Sequence, residues 1–306
     1  MNGEGREPGD EDEAARAAGA EGGGWQVRRI FVALDASPAS AAAAQTAADL
    51  AARLHAELRG LYVEDADLLR LAGLPSVETG TFSARARRLE EGDLERQLRA
   101  QADRARRLLD ECSVRAGLAS HHFEVLRGDV RRAVAEVAEA GDLLSLGRVG
   151  TTRLHRLGSV ARAALAQGRG QILLLAESGR FEPPVVVVNG HTRGDHRALH
   201  AALRMAERRF PDGRRREDRL TLLLAAGAED AGILEREARH ELAAAGHDPD
   251  RARFHRVRPG DHHALARAVA RDRANALILP HASPLVRAGD LEEVVANLDC
   301  TVLLVR

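Results

Sequence analysis

The sequence predicts an α/β protein in which one parallel-sheet unit is written twice. Three observations carry this. Short aliphatic runs alternate with alanine- and leucine-rich helical stretches along the chain, a pattern that builds parallel strands covered by helices on both faces. The 306 residues suit two domains at roughly 150 residues each. The second half can also be laid over the first: HHFEVLRGDVRRAVAEVAEAGDLLSLG matches ARFHRVRPGDHHALARAVARDRANALILP, with Asp129 on Asp261 at an offset of 132 and Asp35 on Asn189 at an offset of 154. The first half therefore has about 22 extra residues between its first and third strands, within 66–100.

Taken in order, residues 1–27 are rich in Gly, Ala and acidic residues without periodicity, a composition that cannot repay ordering entropy, so a disordered tail is expected. From Arg28, RRIFVALD reads as a strand, SPAS as a turn, and the alanine-rich stretch 39–54 as a helix. AELRGLYV is the second strand. The helix at 93–111 puts Leu94, Leu98, Ala105, Leu108 and Leu109 on one face, and HHFEVLRG is the third strand. Asp129 caps DVRRAVAEVAEA, DLLSLG at 142–147 is a buried strand, SVARAALAQ is helical and QILLLA closes the first domain, 28–178. The Gly- and Pro-containing linker ESGRFEPP, 177–184, leads to the second domain, 183–306. There VVVVNG, a helix at 195–209, RLTLLLAA, a helix at 232–245, FHRVRPGD, a helix from His262, ALILP, a short helix near Leu291 and TVLLVR repeat the alternation.

Composition removes several chemistries. All 45 basic residues are arginine, so a Walker-type P-loop, a kinase phosphate lysine, a Schiff-base aldolase and a pyridoxal-phosphate enzyme are excluded. A formal net charge of -1 gives no basic field for nucleic acid. Arginine runs at 85–88, 104–107 and 214–216, flanked by acidic residues, read as solvated helix faces. Cys112 and Cys300 lack metal or redox spacing, no apolar signal segment opens the chain, and the aliphatic runs fall short of the roughly 18 residues of a membrane span. These features point to a reduced, cytoplasmic protein. His196 and His200 share a helix face and His262, His263 and His281 follow, but without an H-E-x-x-H or comparable cluster they do not make a metal site. Ser145 lacks the leading glycine of a hydrolase nucleophile elbow. No catalytic residue is expected.

Ligands of open α/β sheets bind beyond the carboxyl ends of strands where the strand order reverses. The first strand ends in Asp35, and the fourth in Gly147-Arg148-Val149-Gly150; Gly158-Ser159-Val160 then opens a helix. Two glycines admit a ligand close to the backbone, and the helix start supplies N–H groups and the positive end of a dipole, so phosphate can be held without lysine. Arg148, Arg153, His155 and Arg156 add charge nearby.

IFVALDASPAS, LRGLYVEDADLL and LGRVGTTRLHRLGSVARAAL make the region from Arg28 to Arg306 resemble a tandem universal stress protein. The resemblance implies two five-stranded parallel sheets in the order 3-2-1-4-5, Rossmann-like and of the adenine nucleotide alpha hydrolase type, whose fifth strands pair. It implies ATP, with or without Mg²⁺, as a regulatory ligand. Asp35 would face adenine or ribose, Ala33 and Val63 would line the base pocket, Gly147 and Gly150 would admit the triphosphate beside Arg148, and Gly158, Ser159 and Val160 would bind phosphates. Thr151 to Leu157 is seven residues where the family has nine, a tighter loop. In the second half Asn189, Pro280 and Ser283 replace Asp35, Gly147 and Gly150, and with Gly158-Ser159 paired to Gly289-Asp290 a carboxylate sits where phosphate oxygens would go, so that half is expected to be a pseudo-partner without nucleotide. The alternative is a nucleotide-independent scaffold that regulates a partner protein such as a transporter; an adenylate-handling enzyme lacks further catalytic motifs. Homo-oligomers remain compatible with both.

Overall fold

The computed structural model describes residues 24–35, 38–65, 78–79, 87–88, 91–137, 142–147, 157–167, 170–176, 181, 184–190, 192, 194–209, 215–217, 220–286 and 290–306. The first half has strands β1 (Arg29–Ala33), β2 (Glu57–Asp65), β3 (His121–Gly128), β4 (Leu143–Gly147) and β5 (Gln171–Leu175). Its helices are α1 (Pro38–Leu54), α2 (Glu91–Ala116), α3 (Val130–Val137) and α4 (Ser159–Gln167). The second half repeats them as β6 (Val185–Asn189), β7 (Leu220–Ala225), β8 (Arg253–Val257), β9 (Ala276–Pro280) and β10 (Thr301–Val305), with α5 (Asp195–Ala206), α6 (Ala231–Ala244), α7 (His262–Arg271) and α8 (Leu291–Ala296).

Each half has the expected 3-2-1-4-5 order, but the two sheets are not separate. They form one ten-stranded sheet, β8-β7-β6-β9-β10-β5-β4-β1-β2-β3. Every pairing in it is parallel except the seam, where β10 runs antiparallel to β5 with Leu303 opposite Leu173, Val302 opposite Leu174 and Leu304 opposite Ile172. That register is symmetric about Leu173 and Leu303, so the halves are related by a pseudo-twofold axis through the seam. Apart from Gln171 and Thr301 at their starts both seam strands are aliphatic, and every residue in them is buried, as suits strands covered on both faces. One apolar layer lies under α1, α2, α5 and α6 and is continuous across the seam; the other lies under α3, α4, α7 and α8.

Local signals explain the helix starts. Asp129 Oδ1 accepts the Arg132 amide at 2.9 Å, and Asp261 Oδ1 accepts the Ala264 amide at 2.8 Å. These side chains satisfy N–H groups that a helix start leaves unpaired, and they confirm the pairing of Asp129 with Asp261. Along α2, Leu94, Leu98, Ala105 and Leu109 are buried, and Leu108 is half-buried.

Three expectations need correction. The tail does not extend to residue 27: Trp25 is 5% exposed within the core, Val27 is buried, and Trp25 Nε1 donates to Gln171 Oε1 at the start of β5. Residues 1–23 lie outside the described residues. The helix from 195 stops at Ala206 rather than 209, because Glu207–Arg209 pairs antiparallel with Arg215–Glu217. Two of the arginine runs accordingly place residues in short strands rather than on helix faces, Arg215 and Arg216 here and Arg87 and Arg88 opposite Thr79 and Glu78.

Candidate functional site

After β1 the chain crosses by α1 to β2 on one side, and after β3 it crosses by α3 to β4 on the other. The order therefore reverses between the carboxyl ends of β1 and β4, and a crevice opens at such a point. Leu34 continues the ladder past β1, its amide donating to Leu61 O at 2.8 Å, and Asp35 follows, exposed at the rim. The Asp35 charge reaches Tyr62: burial raises the Tyr62 phenol, Glu64 and Asp35 add to it, and Arg104 opposes. Tyr62 Oη meets Gln101 Oε1 at 2.8 Å and is thereby fixed against α2.

Ala33, Val63 and Val160 come from β1, β2 and α4. All three are half-buried and pack against the same apolar layer, joined there by Leu126 and Val130. Leu126 stands directly opposite Val63 in the sheet. All five therefore cover the same apolar layer near the carboxyl ends of the first-half strands. Leu126 and Val130 were not singled out from sequence; the signal was the position of Leu126 two residues before Gly128, at the end of a strand next to β2.

Gly147 ends β4 opposite Leu175. Leu157 is buried and anchors the approach to α4, and Gly158 O accepts the Arg162 amide at 3.0 Å, which makes Gly158 the helix cap. Ser159 is the first residue of α4. Arg148, Gly150, Arg153, His155 and Arg156 lie outside the described residues, as does the loop 151–156. Of the expected site residues, Ala33, Val63 and Val160 each pack against the same apolar layer, and Asp35 follows the end of β1.

The second half is built differently at the same place. Ile30 faces Leu143 and Val185 faces Ala276, so Ile30 and Val185 are equivalents and Asp35 corresponds to Gly190, not Asn189. Asn189 is buried. Asp290 O accepts the Val294 amide at 2.9 Å, so Asp290 itself, rather than Gly289, stands where Gly158 does. The crevice between β6 and β9 is filled from within. A Cβ on Gly190 would come within 2.4 Å of Pro284 Cγ and 2.9 Å of its Cδ. Pro284 O accepts the Gly260 amide at 2.8 Å and Leu285 is wholly buried. Asp195, 7% exposed, closes the loop above: its carboxylate accepts Gly190 N and Thr192 N at 2.7 Å each and Thr192 Oγ1 at 2.6 Å. The chain's own proline ring and carboxylate thus pack against the end of β6 in the second half. Gly190→Ala is expected to lose about 1–3 kcal/mol, the usual effect of overpacking against a rigid neighbour, read as a lower denaturation midpoint. An unchanged midpoint would mean that the 281–286 segment moves aside freely.

Among the described residues no group of three or more His, Cys, Asp or Glu side chains is placed to hold a metal ion, and no helix is long and apolar enough to cross a membrane. His196 and His200 stack edge to face at 4.3 Å. Burial is the main cause holding His200 below the usual imidazole range, and the His196 charge adds to it.

Residues 26–174 match the Universal stress protein family. Among solved structures, a universal stress protein from Archaeoglobus fulgidus DSM 4304 is 14% identical with a TM-score of 0.64, over 92% of this chain and 96% of that one. A functionally unknown protein from Pseudomonas aeruginosa PAO1 is 14% identical with a TM-score of 0.51, over 91% of this chain and 92% of that one. At such identity these likenesses show the fold, and they extend it over both halves. No curated protein matches the chain.

Proposed function

We propose that this chain, which belongs to the universal stress protein family through residues 26–174, binds an adenine nucleotide such as ATP in its first half and uses it as a regulatory ligand. The observation that supports this reading is the contrast between the halves. Ala33, Val63, Leu126, Val130 and Val160 are half-buried on one apolar layer at the reversal of strand order, a shelf on which a base would lie, whereas in the second half Pro284 packs against Gly190 and Leu285 is buried. A purine needs apolar contact on its face and polar partners at its edge. The shelf supplies the first, and Asp35 at its rim accepts hydrogen bonds from base or ribose.

The phosphates would run from Gly147 toward Gly158, with Gly150 and Arg148 between them in sequence. At Gly158 the first amides of α4, those of Ser159 and Val160, add the positive end of the helix dipole. Mg²⁺ would sit on the phosphates rather than on a protein cage, as suits an ion that keeps several of its waters. The ligand's role is to bias a conformation or a partner contact. The second half contributes half of the sheet and no nucleotide.

The test uses the purified full chain. One Trp and one Tyr absorb weakly, so copurified adenine is expected to show in the ultraviolet spectrum and to be identified by mass spectrometry, and calorimetry with ATP and Mg²⁺ is expected to give one site per chain. Absence of nucleotide together with no heat and no thermal shift would overturn the proposal in favour of a nucleotide-independent scaffold.

A further inference from the structure

We infer that Arg306, in the second half, is a positioning residue for α4, the helix whose first amides hold the phosphates in the reading proposed above, so that the second half sets the affinity of the first. The inference rests on that reading and starts from α4 itself. Its nine residues, SVARAALAQ, place no acidic side chain in the first turn and no basic one in the last. The helix therefore supplies neither an anion for its amino end nor a cation for its carboxyl end.

The cation comes from across the seam. Arg306 follows β10, and its Nη2 donates to Leu165 O at 3.1 Å. Leu165 is two residues before the end of α4, so its carbonyl is among the last four, which no amide of the helix satisfies. Burial holds the Arg306 guanidinium below the usual arginine range, and the Leu165 carbonyl replaces part of the hydration it has lost. A charge-assisted bond shielded from water is among the stronger ones. The main chain at this point is fixed within the second half. Arg197 of α5 donates through Nη1 to Arg306 O at 3.1 Å, and His281, just past β9, donates its amide to Val305 O at 2.7 Å. Arg306 is thus rooted in one half while its side chain holds a helix of the other. A second tie, Arg162 Nε to Glu292 Oε1 at 3.4 Å between α4 and α8, joins side chains that are 41% and 51% exposed and adds little.

The latch runs one way. The symmetric seam register makes Ala176 the counterpart of Arg306, and an alanine has no side-chain donor with which to hold α8. At its amino end α8 already has Glu292 and Glu293 in the first turn. Of the two equivalent seam positions, the arginine stands opposite the helix whose amino end is left for a phosphate. The amides there point along the helix axis, so an α4 held at its far end presents them in a fixed direction. Without the latch, nucleotide binding must itself order the helix, and affinity falls.

The test compares the full chain with Arg306→Met, which keeps an apolar stem and loses the donors, and with Arg306→Lys, which restores a cationic donor. Without nucleotide, amide hydrogen exchange at 162–167 is expected to be several-fold faster in the Met variant than in the full chain, and to return toward normal in the Lys variant. Calorimetry with ATP and Mg²⁺ is expected to show about tenfold weaker binding in the Met variant and recovery of most of it in the Lys variant. Unchanged exchange in α4 of the Met variant would overturn the latch, as would equal losses in both variants. Faster exchange with unchanged affinity would make Arg306 merely structural and overturn its positioning role. A full chain that binds no ATP would instead remove the nucleotide reading and this inference with it, and the titration of the unmodified chain separates that failure from the others.

Discussion

Arg29→Ala is expected to be among the most damaging single substitutions in the first half, at about 3–5 kcal/mol. Arg29 opens β1 and Asp142 immediately precedes β4, and the two strands are neighbours. The guanidinium clasps the carboxylate twice, Nε to Oδ1 at 3.0 Å and Nη2 to Oδ2 at 2.6 Å. The Asp142 side chain is 0% exposed, whereas that of Arg29 is 29% exposed. The asymmetry sets the direction of the result. Removing the arginine takes both guanidinium hydrogen bonds from a fully buried carboxylate, while Asp142→Ala leaves a guanidinium that water can still reach, so the second variant is expected to lose clearly less. Replacing both, as Arg29→Met with Asp142→Leu, is expected to recover most of the loss, because desolvating a pair nearly cancels its attraction. Denaturant midpoints of the three variants decide it. An Arg29→Ala loss no larger than that of Asp142→Ala would mean that other groups hold the carboxylate. The pair also supports the core locally, since Asp142 O accepts the Gln171 amide at 2.9 Å and Gln171 in turn accepts from Trp25.

Much of this fold was legible because its strands are short all-aliphatic runs and its helices carry explicit caps. Val185 to Val188 admits no reading but a strand buried on both faces, and Asp129 and Asp261 mark helix starts by their chemistry. What was not legible depended on partners distant in sequence. Trp25 looks like the only aromatic of a polar tail, and its place is set by Gln171 and a core that the tail does not itself encode. The end of α5 was hidden because Glu207, Arg208 and Arg209 are all good helix formers; strand pairing with 215–217 overrode that preference. The equivalence of Asp35 and Gly190 slipped by one residue in the sequence because a one-residue shift changes little in a run of valines, and that of Gly158 and Asp290 slipped because either Gly289 or Asp290 could open the helix until its first carbonyl bond is known. Strand register resolves the first, since such a shift would exchange the two faces of the sheet. In the candidate site the rim residues at strand ends could be read, but Leu126 and Val130 could not, because a shelf is defined by which residues remain half-covered after the helices pack.

Gly158→Asp is expected to weaken nucleotide binding by about a thousandfold without loss of stability. The first half of that statement rests on charge. Two unit charges about 4 Å apart at an effective dielectric of about 20 repel by ~4 kcal/mol, and every 1.4 kcal/mol is tenfold in affinity. The second half rests on capping. Gly158 O accepts the Arg162 amide, aspartate is among the best residues at such a position, and Gly158 is not among the glycines with positive φ, so a side chain there meets no left-handed backbone. The protein itself tolerates an aspartate at the equivalent position, because Asp290 precedes α8 and its backbone carbonyl accepts the Val294 amide while its side chain makes no capping hydrogen bond. A stabilising cap and a binding site for phosphate thus compete for one position, and each half of the chain resolves the competition differently. Gly158→Asn separates the two effects: it caps without charge and is expected to lose no more than about tenfold. Calorimetry with ATP and thermal midpoints on all three proteins tests the argument. Unchanged affinity in Gly158→Asp would remove the phosphates from this helix end, and equal losses in the Asp and Asn variants would show that the space beside Gly158, rather than charge, governs binding.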